Sequence, residues 1–352
     1  MSRPALYNIY RPQKFEDVVE QDAVKQIIQQ QIQEDNLKRV LLFTGPAGCG
    51  KTTDARILAF ELEPEKSNVI EINCADHTGV DDVRQLVIDA SATRPLTGKY
   101  KIFILDEVHM LTTQSQNALL KLLEEPPAHC IYILCTTDPQ KILGTIMSRA
   151  FRYDFQLISQ QGIINRLNYI LQEEQKLGSD GCGVQTWDDS SLNLIAISAG
   201  GHMRNAIATC EKCLSYSKNL TPEIVTKVLG TTNFGTLFDI LDSLLCKNQS
   251  QLIQQLEQLN NSGMDLKLFI KNFLAFVIEI NKYVILKVET NQNTLPLSIP
   301  STFGQRMMNY NGGHRPQLKS LLKMMLELNS EIRWETNVKP VLETKLLLEI
   351  CQ

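Results

Sequence analysis

The chain has 352 residues, 43% of them hydrophobic and 21% charged, with a formal net charge of −4. That length exceeds one ordinary compact domain, and the composition excludes extensive disorder. The mild acidity excludes a uniformly basic nucleic-acid coat, so any DNA contact has to come from a local basic face.

No apolar run approaches the length needed to span a bilayer, and the opening MSRPALYNIY lacks the apolar centre of a signal peptide. These features predict a cytoplasmic chain without membrane partners. Nine scattered cysteines, an odd number, point to reduced thiols. The one CxxC, Cys210 to Cys213, lies in a helix-like stretch without a second pair, so no structural zinc is expected.

Near the start, QIIQQQIQ reads as one solvated helix face. From residue 38 to 158, apolar runs alternate with helical spacing: RVLLFTG, NVIEINCAD, YKIFILDEV, CIYILCTTD and FRYDFQL. Their content of Val, Ile, Leu and aromatics predicts five parallel strands covered on both faces, an α/β domain.

The first strand runs into Gly45, Pro46, Ala47, Gly48, Cys49, Gly50, Lys51 and Thr52, followed by Thr53 and the helix-like DARILAFEL. The pattern fits GxxxxGK[ST] in the strand-to-helix context that a P-loop requires. Glycines let backbone N–H groups curl around phosphates, Lys51 would neutralise the β- and γ-phosphates, and Thr52 would bind Mg²⁺. ATP and Mg²⁺ are therefore the expected cofactors.

The loop ATRPLTGKYK offers Arg94 and Lys99 as candidate DNA-phosphate contacts, with a plain solvated loop as the competing reading. The next strand ends in Asp106 and Glu107, two carboxylates that a sheet interior would not tolerate unpaired. At a carboxyl edge, Asp106 would sit in the Mg²⁺ shell and Glu107 would orient or deprotonate water, unless the pair is an acidic helix cap. His109 reads as a packing or hydrogen-bonding residue. The fourth strand ends in Cys135, Thr136, Thr137 and Asp138, where a hydroxyl reaches the same edge or merely starts a turn.

Arg149, in TIMSRAFRYDF, and Arg204, in SAGGHMRNAIA, could stabilise developing phosphate charge or be ordinary surface ion pairs. Beyond Phe155 helical spacing dominates. Residues 160 to 230 suggest a small bundle with turns at LGSDGCGV, SAGGHM and NLTPE, and a second helical unit follows. Its longest stretch, MDLKLFIKNFLAFVIEINKYVILKV, is apolar nearly all round, which suits either a core helix or a subunit interface.

In this order the motifs resemble those of the clamp-loader ATPases of the AAA+ superfamily, specifically the bacterial gamma/tau type, including a phage-encoded version. The resemblance covers about the first 230 residues through YRPQKFEDVVEQ, GPAGCGKTT, FILDEVHMLTTQSQNALLKLLEEPP, CTTDPQKILGTIMSRA and GGHMRNAI. It implies an AAA+ nucleotide-binding domain at 1–158, a helical lid at 159–230 and an all-α collar at 231–352. It also implies adenine-wall residues Tyr10, Arg11, Pro12, Val18 and Val19, a first sensor at Thr137, a second sensor at Arg204, and an arginine finger at Arg149 that serves a neighbouring subunit.

The implied partners are a sliding clamp, primer-template DNA and other loader subunits, including copies of this chain in a pentameric ring, in a bacterial or phage-infected cell. Ala150 stands where the family has cysteine, and Glu20 where it usually has glycine. The family's zinc module has no counterpart between ELEPEKSN and VIEINCAD, and the chain ends near the collar. Another nucleic-acid AAA+ motor, such as a branch-migration helicase, and a non-hydrolysing stator subunit are the competing readings; the intact Lys51, Thr52, Asp106 and Glu107 weigh against the stator.

Overall fold

The computed structural model describes residues 3–230, 234–261, 265–290, 299, 303–332, 335 and 337–351. They belong to two compact units, the first Met1–Ile170 with Ser198–Ala208, the second Leu171–Ile197 with Thr209–Gln352.

The first unit is built on β1 (Val40–Thr44), β2 (Val69–Asn73), β3 (Lys101–Asp106), β4 (Cys130–Thr136) and β5 (Phe151–Asp154), all parallel in the order β2-β3-β4-β1-β5. Register pairs Thr44 with Thr136 across β1 and β4, and Leu105 with Leu134 across β3 and β4. β4 therefore separates β1 from β3, and the ends of these three strands stand side by side. Strands β1 and β4 are buried throughout, as unbroken apolar runs require in a sheet covered on both faces. Edge strand β5 buries only Tyr153.

Alternation of side chains divides the core in two. One face gathers Leu41, Phe43, Ile102, Ile104, Ile131 and Ile133 under Val24 and Ile28 of α2 (Asp22–Gln33) and Ile57 and Leu58 of α3 (Lys51–Leu62). The other gathers Leu42, Phe103, Leu105, Tyr132 and Leu134 under Leu119 and Leu123 of α5 (Thr113–Glu124), with Val83 of the short α4 (Val80–Val83). Truncating any of these buried leucines to alanine costs about 2–5 kcal/mol. The glutamines of α2 lie mostly on its outer side, as their sequence suggested. The remaining short α-helices of this part are α1 (Leu6–Ile9) and α6 (Gly144–Met147).

Further along come α7 (Gln160–Leu177), α8 (Asp189–Ala199), α9 (Met203–Tyr216) and α10 (Pro222–Leu229). One feature departs from the all-helical expectation: β6 (Thr186–Trp187) pairs in parallel with β7 (Asn219–Leu220). The pairing is held by Gln185 N–H on the Lys218 carbonyl and by Thr186 Oγ1 donating to Asn219 Oδ1 at 3.0 Å. Two-residue strands are too short to leave an alternating pattern.

The second unit's core joins α11 (Phe234–Leu245), α12 (Gln249–Asn261), α13 (Leu266–Thr290), α15 (Arg315–Glu331) and α16 (Val338–Cys351), with α14 (Gly304–Met308) between α13 and α15 in the chain. α13 buries Phe269, Ile270, Phe273, Phe276, Val277, Ile280 and Val284, and its main partner is α15. Packing within its own unit accounts for these residues, while Leu286 and Val288 near its carboxyl end are exposed. Among the described residues no helix is long and apolar enough to cross a membrane.

Candidate nucleotide site

The loop after β1 takes its shape from glycines. Gly45, Gly48 and Gly50 have φ of 146°, 68° and 111°, values that L side chains rarely adopt. A β-carbon at Gly45 would also overlap the Phe155 carbonyl. Lys51 is buried at the start of α3, and its ammonium donates to the carbonyls of Gly45 at 2.8 Å and Pro46 at 2.7 Å. Cys49 is buried in the loop, where its thiol donates to the Pro46 carbonyl; burial pushes its pKa up.

One residue into α3, Thr52 Oγ1 donates to Asp106 Oδ2 at 2.8 Å, which ties the P-loop to the end of β3. Burial raises the Asp106 pKa, with the neighbouring Glu107 charge acting in the same direction and the Thr52 hydrogen bond opposing both. Glu107 adopts φ 51° and ψ 44°, a left-handed conformation that costs a non-glycine residue about 1 kcal/mol. Its carboxylate accepts from Thr137 Oγ1 at 3.2 Å and lies 3.4 Å from His109 Nδ1. His109 also reaches Thr136 Oγ1 at 3.1 Å, so it is a hydrogen-bonding residue at this edge.

These groups open on a cavity of about 390 Å³, lined by the P-loop from Ala47 to Thr53, by Asp106 and Glu107, and by Tyr10, Arg11, Pro12, Val18 and Val19. Arg204 lines it too. Residues 200–205 are brought there by Met203 N–H on the Gly48 carbonyl and by the His202 ring on the Ala47 carbonyl. Thr137 stands behind Glu107 rather than in the lining.

Several lining residues have no local signature. Tyr7 carries the Arg204 guanidinium 4.8 Å above its ring, and Arg166 donates to the Tyr10 carbonyl at 2.7 Å while packing on Tyr169. Burial pulls the Arg166 pKa below its ordinary value. Such contacts join segments up to 197 positions apart, and no spacing pattern encodes them.

Two sets of sequence candidates lie elsewhere. Arg149 does not line the cavity; its guanidinium donates to Glu124 Oε1 and to the Thr145 carbonyl, both at 2.8 Å. Arg94 and Lys99 precede β3, at the amino edge of the sheet, opposite the P-loop. There Lys99 sits 3.6 Å from Asp35 and over the Tyr100 ring. Cys210 and Cys213 are buried, and no cluster of possible metal ligands occurs among the described residues.

A P-loop after β1, an acidic pair after β3 and an all-parallel β2-β3-β4-β1-β5 sheet define an AAA+ P-loop domain. The fold is shared with a mutant of RuvB from Thermotoga maritima, with a TM-score of 0.50 at 17% identity over 76% of this chain and 91% of that one. Closer in sequence are the DNA polymerase III subunit gamma of Buchnera aphidicola subsp. Schizaphis graminum, 30% identical over 80% of each chain, and the DNA polymerase III subunit tau of Bacillus subtilis, 32% identical over 100% of this chain and 64% of that one. The chain belongs to the DNA polymerase III gamma/tau family.

Two family models match parts of the chain. Residues 63–159 match the model for DNA polymerase III, delta subunit, and residues 220–349 match domain III of DNA polymerase III subunits gamma and tau. The chain spans 64% of the Bacillus subtilis tau subunit and 49% of the Mycobacterium tuberculosis gamma/tau subunit.

Proposed function

We propose that this chain is the ATPase subunit of a clamp loader, which uses ATP binding and hydrolysis to place a DNA polymerase sliding clamp on primer-template DNA. The observation that carries the proposal is the convergence, on one cavity, of the P-loop, the Thr52–Asp106 pair, Glu107 and Arg204. Base and ribose would lie between Tyr10, Arg11, Pro12, Val18 and Val19, and the phosphates along Gly45 to Thr53. Lys51 would exchange its two loop carbonyls for phosphate oxygens, a stronger charge-assisted pairing.

Thr52 and Asp106 present hard oxygen donors side by side, which suits Mg²⁺ held chiefly by substrate phosphates. When bound, the ion supplies charge neutralisation at the phosphates. Glu107 orients the attacking water and takes its proton, and Thr137 holds the carboxylate through the bond it already makes. Arg204 leaves the Tyr7 ring for the terminal phosphate. Phosphoryl transfer further favours an arginine aimed at the developing charge, a cation that a neighbouring subunit can supply.

Arg149 supplies that cation to the neighbouring copy. Its place outside its own cavity and its ion pair with Glu124 support a role in trans. Hydrolysis then waits for assembly, and clamp and DNA act by completing the interface. Residues 1–158, 159–230 and 231–352 are proposed to serve as ATP-binding domain, lid and collar of a pentameric ring. The working location is the cytoplasm of a bacterial or phage-infected cell.

The test is ATP-dependent transfer of a labelled clamp onto primed circular DNA by the reconstituted loader. The wild-type chain should support transfer and Lys51→Ala should abolish it. Equal transfer with both chains would refute the proposal.

A further inference from the structure

One part of the cavity wall brings together two segments far apart in the chain, Val18 and Val19 on one side and Ile158 on the other. Two consecutive residues join them. Glu20 and Gln21 have φ of 58° and 56°, left-handed values that glycine adopts freely and other residues hold only when their surroundings impose them.

The surroundings are specific. Glu20 Oε2 accepts the Ser159 N–H at 3.0 Å, and Glu20 Oε1 accepts the Ser159 hydroxyl. The same Ser159 Oγ accepts from Gly162 N–H at 3.0 Å in the first turn of α7, so the carboxylate stands at the amino end of an 18-residue helix, where the backbone dipole favours negative charge. Gln21, nearly buried, donates to the carbonyls of Gln156 at 2.7 Å and Cys49 at 3.3 Å and accepts from Gln156 N–H.

Gly162 records how closely the two sides meet. A β-carbon there would stand 2.5 Å from Glu20 Oε1 and 3.0 Å from both Val19 Cγ1 and Ile158 Cγ2. The carboxylate and the two apolar wall residues thus converge on one position that has no room for a side chain.

We propose that Glu20 is a positioning residue that clamps Val19 against Ile158 through Ser159, and so sets how long a nucleotide stays in the cavity. The inference rests on the nucleotide-site reading above and adds to it a residue that touches no nucleotide. Without the clamp the two sides of the wall part more often, and bound nucleotide leaves through the gap. Charge on the carboxylate matters because its acceptors face two donors and a helix amino terminus; glutamine keeps the length and loses the charge.

The experiment is stopped-flow release of a fluorescent N-methylanthraniloyl ADP from the full chain, chased with excess ADP. Glu20→Gly, Glu20→Gln and Ser159→Ala are compared with wild type, and each variant's melting temperature is recorded. Glycine suits the left-handed backbone, so Glu20→Gly removes the clamp without adding strain. Release should be roughly tenfold faster in Glu20→Gly, with Glu20→Gln and Ser159→Ala between it and wild type. Melting temperatures should not follow that order. Release within twofold of wild type in both Glu20 variants would overturn the clamp while leaving the nucleotide site intact. A wild-type chain that binds the analogue no better than Lys51→Ala would overturn the nucleotide-site reading itself.

Discussion

The cavity at the carboxyl edge of the sheet and the Arg149 surface are both rich in charge, yet they are organised in opposite ways. In the cavity the polar groups satisfy one another: Lys51 rests on its own loop, Thr52 on Asp106, Thr137 on Glu107, Arg204 on Tyr7. Arg149 instead carries its charge to a surface pair with Glu124, which is more than half exposed. An exposed ion pair of that kind is worth at most about 1 kcal/mol. The guanidinium is therefore cheap to withdraw from its partner, while the cavity keeps its geometry without help. One region is preorganised and the other is poised for exchange, and this division of labour fits a site completed by a neighbour.

The comparison breaks most sharply if Arg149 is removed. Arg149→Ala should lower kcat in the assembled loader by about 10³ or more, the scale of arginine-finger losses, while nucleotide affinity of the isolated chain stays within twofold. Equilibrium titration beside steady-state kinetics checks both halves. Glu107→Gln should cost kcat about 10²–10⁴ through loss of the base, with KM little changed. A rise in KM as large as the fall in kcat would mean that Glu107 binds substrate rather than acting in the chemical step.

A third expectation concerns Asp54, on α3 beneath the P-loop. It is fully buried, neither carboxylate oxygen has a hydrogen-bond partner, and burial raises its pKa from 3.8 to about 7 against the opposing pull of Lys25. A raised folded-state pKa means that the fold bears no penalty below pH about 4 and the full penalty above about 7. The wild-type chain should therefore lose stability relative to Asp54→Asn as pH climbs through that window, by up to about 4 kcal/mol. Urea unfolding of both chains at pH 4.5, 6 and 7.5 checks the trend; parallel curves would show that Asp54 is not titrating in the fold.

How much of this was legible in the sequence depends on the range of the interaction concerned. β1, β3 and β4 stood out because both-face burial demands continuous apolar runs. β2 and β5 carried similar runs but lie at the sheet edges, largely uncovered, so their place was legible and their burial was not. The P-loop was legible because its glycines, lysine and threonine are contiguous. Asp106 and Glu107 were legible because two carboxylates ending a buried strand can only face an edge. Tyr7 and Arg166, which line the cavity, and His202, whose ring reaches the Ala47 carbonyl, were not, since each acts through a contact with a distant segment. Asp54 was hidden for another reason: an acidic residue in the first turn of a helix reads as a favourable charge on the dipole, and only the packed structure shows it buried. Glu20 stood out as a residue where glycine was expected, but its bond to Ser159 was not.

The smallest effect sharpens the cavity side. Tyr7→Leu removes the ring under Arg204 and should change nucleotide affinity only a few-fold, since an exposed cation–π contact is worth about 0.5–1 kcal/mol. Fluorescence titration checks it, and a change beyond about thirtyfold would assign Tyr7 a direct part in holding the base.

The central claim is that Arg149 completes a cavity other than its own. The most direct measurement is steady-state ATPase of Arg149→Ala, of Glu107→Gln and of their equal mixture, with primed DNA, clamp and any companion subunit present. Each variant alone should be nearly inactive, and the mixture should regain a substantial fraction of wild-type turnover, because intact cavities on one chain meet intact arginines on the other. A mixture as inactive as its components, beside an active wild type, would contradict the account.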